Sequence, residues 1–406
     1  MPFTNTTPDL AAASPAQNAA PPATSTAALL VSLPPQSADA LHATLANLTL
    51  AFPHRSLLLA TPADAPAPPH LATANLHLLT YPPVAAASIE LVLPPARFID
   101  ADALAQQHQA ATCLLLGPGA EVLPPSLLRS LAADSADLIL PHYHLGAREG
   151  LVNSAILYPV TRALYGTRPR FPLAVDLGLS LRMAQRLANS AQRSLTAGHH
   201  EAILWPVAEA ASANFLIAEV DGCPRQLPQP PSLDLNALLA HVAGSLFADI
   251  DTKAAYWQRA RPAQPLQPLR ETPNPTPGVP DVTPMLEAFR IAYINLADIW
   301  SLVLPPNSLL GLKRLSQMPP TAFHMSDTLW TRIVYDFALA FRIRTINRGH
   351  LLGALTPLYL AWVASHILFT DAGTPAEQHI SDLAATFERD KPYLVSRWRW
   401  PDRFNP

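Results

Sequence analysis

At 406 residues, with 49% hydrophobic and 14% charged side chains, the chain is long enough for one large domain or two ordinary ones, each with a sizeable core. A formal charge of −3 and a pI near 6.5 give no basic field for a nucleic-acid backbone, which argues against a nucleic-acid partner. Cys113 and Cys223 are too few for a disulfide framework and show no Cys/His metal spacing, which argues against structural zinc and suits a reducing, cytoplasmic setting.

Residues 1–27 are rich in Ala, Pro, Ser and Thr and lack both a basic n-region and a continuous apolar h-region, so they read as a disordered leader. From Ala28 to residue 258, apolar runs such as ALLVSL, RSLLLA, TCLLLG and DLILPHY alternate with helical text such as SADALHATLANLTLAF. That alternation predicts α/β layers around a largely parallel sheet. Residues 259–282 are dense in proline and form a linker, because proline continues neither a helix nor a central strand. Residues 283–406 then read as helical. Leu286, Phe289, Tyr293, Leu296 and Trp300 share one face, and Ser326 caps a helix carrying Leu329, Ile333, Phe337 and Phe341 every fourth residue. Leu351 to Phe369 has the length and polarity of a membrane span. Pro357, Ser365, His366 and the amphipathic helix before it favour a buried core helix, with Trp398 and Trp400 as further cover and Arg397 left for the surface or a phosphate.

Chemical motifs are few. The chain has no nucleophile elbow, P-loop, His-Glu-x-x-His or Gly-x-Gly-x-x-Gly text, and His199-His200-Glu201 reads as a solvated turn. A phosphate-rich ligand remains open, since an arginine with helix-start amides can hold a diphosphate. In CLLLGPGAEV, residues 113–122, an apolar strand runs into Gly117-Pro118-Gly119, where an open α/β sheet gathers its ligands. The first acid there is Glu121, a lone carboxylate and hence a poor metal site.

The most informative segment is 137–180, DLILPHYHLGAREGLVNSAILYPVTRALYGTRPRFPLAVDLGLS, with a strand, a charged turn, a helix stopped at Gly166 and a loop carrying Asp176. Pro141 and Tyr143, Glu149-Gly150, Tyr158 to Gly166, and Pro172 through Asp176, Gly178 and Ser180 resemble the motifs of the retaining GT-A glycosyltransferases of the mannosylglycerate synthase and glucosyl-3-phosphoglycerate synthase type. Residues 242–257 and the C-terminal helices resemble the same family, so the likeness runs roughly from Ala28 to Trp400.

The resemblance implies an α/β fold: a Rossmann-like GT-A nucleotide-sugar-binding domain with a mostly α-helical C-terminal region. It implies sugar transfer from a nucleotide-diphosphate sugar to a small hydroxy-acid acceptor, with Asp176 catalytic and Glu149, Arg162, Arg170 and Ser180 substrate-binding. It also implies Mg or Mn bound by an Asp-x-Asp pair and a later histidine, but here that pair falls on Gly117 and Gly119, and DGCPRQLPQPP (221–231) holds no histidine. The early nucleotide-facing acid falls near Thr61, with Asp64 displaced. The Arg-His pair before the acidic turn reads Leu145-Gly146, the diglycine before Asp176 reads Ala174-Val175, and the acid before an expected strand at Trp205 reads Ile203. Two functions follow: a transferase that has lost its metal, or a degenerate binding or scaffold protein. No integral membrane span is expected, and a homo-oligomer is left open.

Overall fold

The computed structural model describes residues 28–65, 75–83, 92–199, 201–225, 234–261 and 281–401. The leader, nearly all of the linker, His200 and residues 226–231 lie outside them. Among the described residues seven strands form one sheet: β1 (Leu29–Ser32), β2 (Leu57–Pro62), β3 (Leu76–Tyr81), β4 (Thr112–Leu115), β5 (Leu138–His144), β6 (Leu177–Ser180) and β7 (Ile217–Pro224). Their order is β3-β2-β1-β4-β6-β5-β7. The expected parallel pairing holds for β1 with β2 and β4, β2 with β3, and β5 with β7, whereas β6 runs antiparallel between β4 and β5.

The helices are α1 (Ala38–Ala51), α2 (Pro95–Gln107), α3 (Pro125–Leu131), α4 (Tyr158–Tyr165), α5 (Leu181–Thr196), α6 (Pro206–Ser212), α7 (Leu235–Thr252) and α8 (Ala254–Trp257). Beyond the linker come α9 (Thr283–Asn295), α10 (Ala297–Ser301), α11 (Pro306–Ser316), α12 (Asp327–Ile343), α13 (Arg348–Asp371) and α14 (Ala376–Arg399). Because side chains alternate along a strand, β1 sends Leu29 and Val31 towards α1 and α3, and Leu30 towards α2 and α5. The strand expected at Trp205 is absent; Pro206 occupies a first helical position and starts α6.

Strand β6 follows directly on the loop that carries Asp176. A Cβ on Gly178 would lie 1.9 Å from the Leu131 carbonyl oxygen, so only glycine lets this strand pass beneath the end of α3. Helix α5 begins at Leu181, capped by the Ser180 hydroxyl, which accepts from the Met183 amide.

A third core joins α4, α6 and α7 to α9–α14 through Phe247, Trp257, Phe289, Trp300, Trp330, Trp362 and Phe387. Helix α13 is long and apolar enough to cross a membrane by length and composition, yet 78% of its apolar window is buried inside the protein. Trp398 packs edge-on against Trp257, as cover for this core, while Trp400 is exposed. Arg397 is not left for the surface: it is buried beside Asp336, 3.3 Å away, and Tyr393.

His366 of α13 stacks between Trp362 and His379, and its Nδ1 lies 2.8 Å from Nδ1 of His379. Burial, then the neighbouring His379, pushes its pKa down to about 4 from 6.5. The folded form therefore resists a proton that the unfolded chain accepts. Stability is complete above pH 6.5 and falls as pH drops towards 4, by on the order of 3 kcal/mol. Urea denaturation at several pH values is expected to show this acid-side loss in the wild type and its disappearance in His366→Gln.

Candidate functional site

The Gly-Pro-Gly turn follows β4 directly. Gly119 adopts a left-handed φ of 77°, and the Gly117 amide donates to Asp176 Oδ1 at 2.9 Å. A Cβ on Gly117 would lie 2.6 Å from both Cβ and Cγ2 of Val175, the residue standing where the resemblance expects glycine. Val175 thus fills the space that the first aspartate of an Asp-x-Asp pair would enter. Glu121 follows in a single 3-10 turn, tied to α1 where its carbonyl accepts from Asn47.

Asp176 is fully buried and fully occupied. Arg225, one residue past β7, forks onto it with Nε 3.0 Å from Oδ2 and Nη2 3.1 Å from Oδ1, and its Nη1 donates to the Gly119 carbonyl. The Tyr143 hydroxyl donates to Oδ2 at 2.8 Å and accepts from the Asp176 amide. Burial, then the Asp176 charge, raises the Tyr143 pKa well above its ordinary value, so this hydroxyl stays a donor. The side chains of Asp176 and Arg225 are 0% and 1% exposed respectively, an ion pair with no open face.

A second guanidinium closes the switch point between β1 and β4. Arg97 of α2 donates to the Leu116 carbonyl (2.9 Å), the Ser32 carbonyl (2.7 Å) and the Ser32 hydroxyl (3.0 Å). In open α/β sheets a ligand crevice lies at such a point. Here it is spanned by buried side chains of the chain itself.

The other sequence candidates are dispersed. Arg162 faces α14, paired with Glu388 at 2.9 Å. Arg170 lies 3.0 and 3.1 Å from the Glu377 oxygens and 2.9 Å from Ser154 Oγ, with its guanidinium over the Tyr158 and Phe171 rings. Burial opposes ionisation of Glu377, but Arg170 outweighs it and holds that carboxyl below its ordinary pKa. Glu149 is exposed and closes its own turn by accepting from the Gly146 amide. Asp64 is exposed in the turn after β2.

Ser180 cannot share a site with Asp176. In the antiparallel register Leu177 stands opposite Leu115 and Ser180 opposite Thr112, at the other end of β4, roughly 10 Å away along the strand. There it donates to Asp137, whose pKa Arg182 lowers to about 2, beside a cavity of about 260 Å³.

Sequence reasoning missed Arg225 and Arg97. Arg225 had a usable signal, an arginine in the segment where a metal-ligating histidine is expected; Arg97 had none. The described residues contain no group of three or more His, Cys, Asp or Glu side chains able to hold a metal ion. With Gly117 walled by Val175 and Asp176 taken by Arg225, the crevice does not fit the divalent cation that the resemblance implies.

No protein-family model and no curated protein matches this chain. Among solved structures, a mycobacterial protein is 12% identical, covering 55% of this chain and 74% of the other at a TM-score of 0.35. Glucosyl-3-phosphoglycerate synthase from Mycobacterium tuberculosis in complex with phosphoglyceric acid is 13% identical, covering 55% of this chain and 79% of the other at a TM-score of 0.33. The same synthase with Mn2+, uridine-diphosphate-glucose and phosphoglyceric acid is 13% identical over the same shares, at a TM-score of 0.34.

Proposed function

We propose that this chain is a GT-A-like protein whose nucleotide-sugar crevice is closed by its own side chains, and that it works as a binding or scaffold protein rather than a sugar transferase. The GT-A-like reading is supported by the motif text at 137–180 and by the crevice at the β1/β4 switch point. The reading against transfer is carried by Asp176. A catalytic carboxylate must meet the sugar or its acceptor, and this one spends both oxygens on Arg225, Tyr143 and the Gly117 amide. Sugar transfer also needs charge to stabilise a leaving diphosphate. Arg162, Arg170 and Arg225 are each already matched to a carboxylate.

A second reading, a metal-independent transferase, is favoured by Arg97, another buried guanidinium at the crevice whose Nε has no hydrogen-bond partner. Calorimetric titration with UDP-glucose, with and without Mn2+, separates the two. No saturable heat at millimolar ligand is expected in either condition. Saturable binding that ignores Mn2+ would establish the second reading, and binding abolished by chelator would overturn both.

A further inference from the structure

We infer that Arg225 is the resident cation of the crevice: its guanidinium, rather than a metal ion, holds the Asp176 carboxylate and the Gly119 carbonyl together, and removing it leaves a buried site for a small planar cation. The inference takes its location from the proposed function and nothing else. Three oxygens from two different segments converge on one side chain: both oxygens of Asp176, which leads into β6, and the carbonyl of the turn after β4. The cation itself arrives from the end of β7, so a single charge fastens three parts of the sheet's carboxyl edge.

The geometry suits a guanidinium better than a metal. A divalent ion with oxygen ligands asks for about six of them, and neither Gly117 nor Gly119 supplies a side chain. A guanidinium needs only a planar set of acceptors, and all three of its nitrogens are used here. Because the cation is part of the chain, a chelator cannot withdraw it as it would a bound metal. Tyr143 and the Gly117 amide hold the carboxylate in place from its remaining sides, so the anionic half of the site does not depend on Arg225 for its position.

The test is chemical rescue of Arg225→Ala, read by melting temperature. Loss of the partner strands a buried carboxylate, and a fall of about 5–10 °C is expected. Guanidinium chloride at millimolar concentration, far below denaturing levels, is expected to restore at least half of it. Urea, similar in shape but neutral, is expected to restore none, and the wild type to respond to neither. A variant as stable as wild type, rescue by urea as well as by guanidinium, or no rescue overturns the inference. Should Arg225→Ala fail to fold, adding Asp176→Asn removes the stranded charge and is expected to recover a folded protein; a double variant that also fails to fold overturns it. Because the readout is stability, UDP-glucose binding by the wild type would sink the functional reading and leave this one standing.

Discussion

Aspartates introduced together at Gly117 and Gly119 are expected to break the crevice open rather than arm it, with a loss on the order of 5 kcal/mol and no sugar transfer. At Gly117 the new Cβ would meet Val175 Cβ at 2.6 Å, and no side-chain rotation moves a Cβ away. Overpacking of this kind costs about 1–3 kcal/mol. The added carboxylate would stand beside Asp176, whose charge Arg225 already balances, so it would be buried without a partner. At Gly119 the φ of 77° adds about 1 kcal/mol for a residue with a side chain. Chemical denaturation and a UDP-glucose transfer assay with Mn2+ check both halves. A double variant with wild-type stability and measurable turnover would show that the space and the remaining ligands exist, against the closed-crevice reading.

Asp176→Ala is expected to cost about 3–5 kcal/mol, the usual result of stripping one partner from a buried ion pair. Three donors lose their acceptor at once: the Arg225 guanidinium, the Tyr143 hydroxyl and the Gly117 amide. A solvent-facing catalytic aspartate behaves differently, since its removal leaves stability within about 0.5 kcal/mol while abolishing turnover. The urea midpoint of the variant therefore separates a structural acid from a catalytic one without any substrate.

Much of the fold was legible in the sequence where local pattern decides. The runs containing β1, β2, β4 and β5 are continuous apolar text because the sheet is covered on both faces, and Gly166 and Ser326 mark helix ends through a left-handed φ and a side-chain cap. Strand β6 was not legible. Its four residues are too short for a period, and Gly178 is there for a long-range approach to Leu131. The candidate site split the same way. Gly117, Gly119, Val175 and Asp176 were visible as departures from, or matches to, a motif. That Arg225 ends on Asp176, 49 residues away in sequence, is set by the pairing of β5 with β7, which no local signal encodes. Arg162 and Arg170 likewise meet partners more than 200 residues later, on α14.

Those distant partners bear on how the chain is made. Helix α4 is synthesised long before α14, yet Arg162 waits 226 residues for Glu388, and the Leu164 carbonyl waits 227 for the Lys391 ammonium. Helix α7 gains its cover from α12 and α13, whereas the face of α4 that meets α14 stays open until the last helix emerges. On the ribosome, at about 5–20 residues per second, that interval lasts on the order of ten seconds or more. The emergence of α14 therefore sets the earliest moment at which the region around α4 can fold to completion.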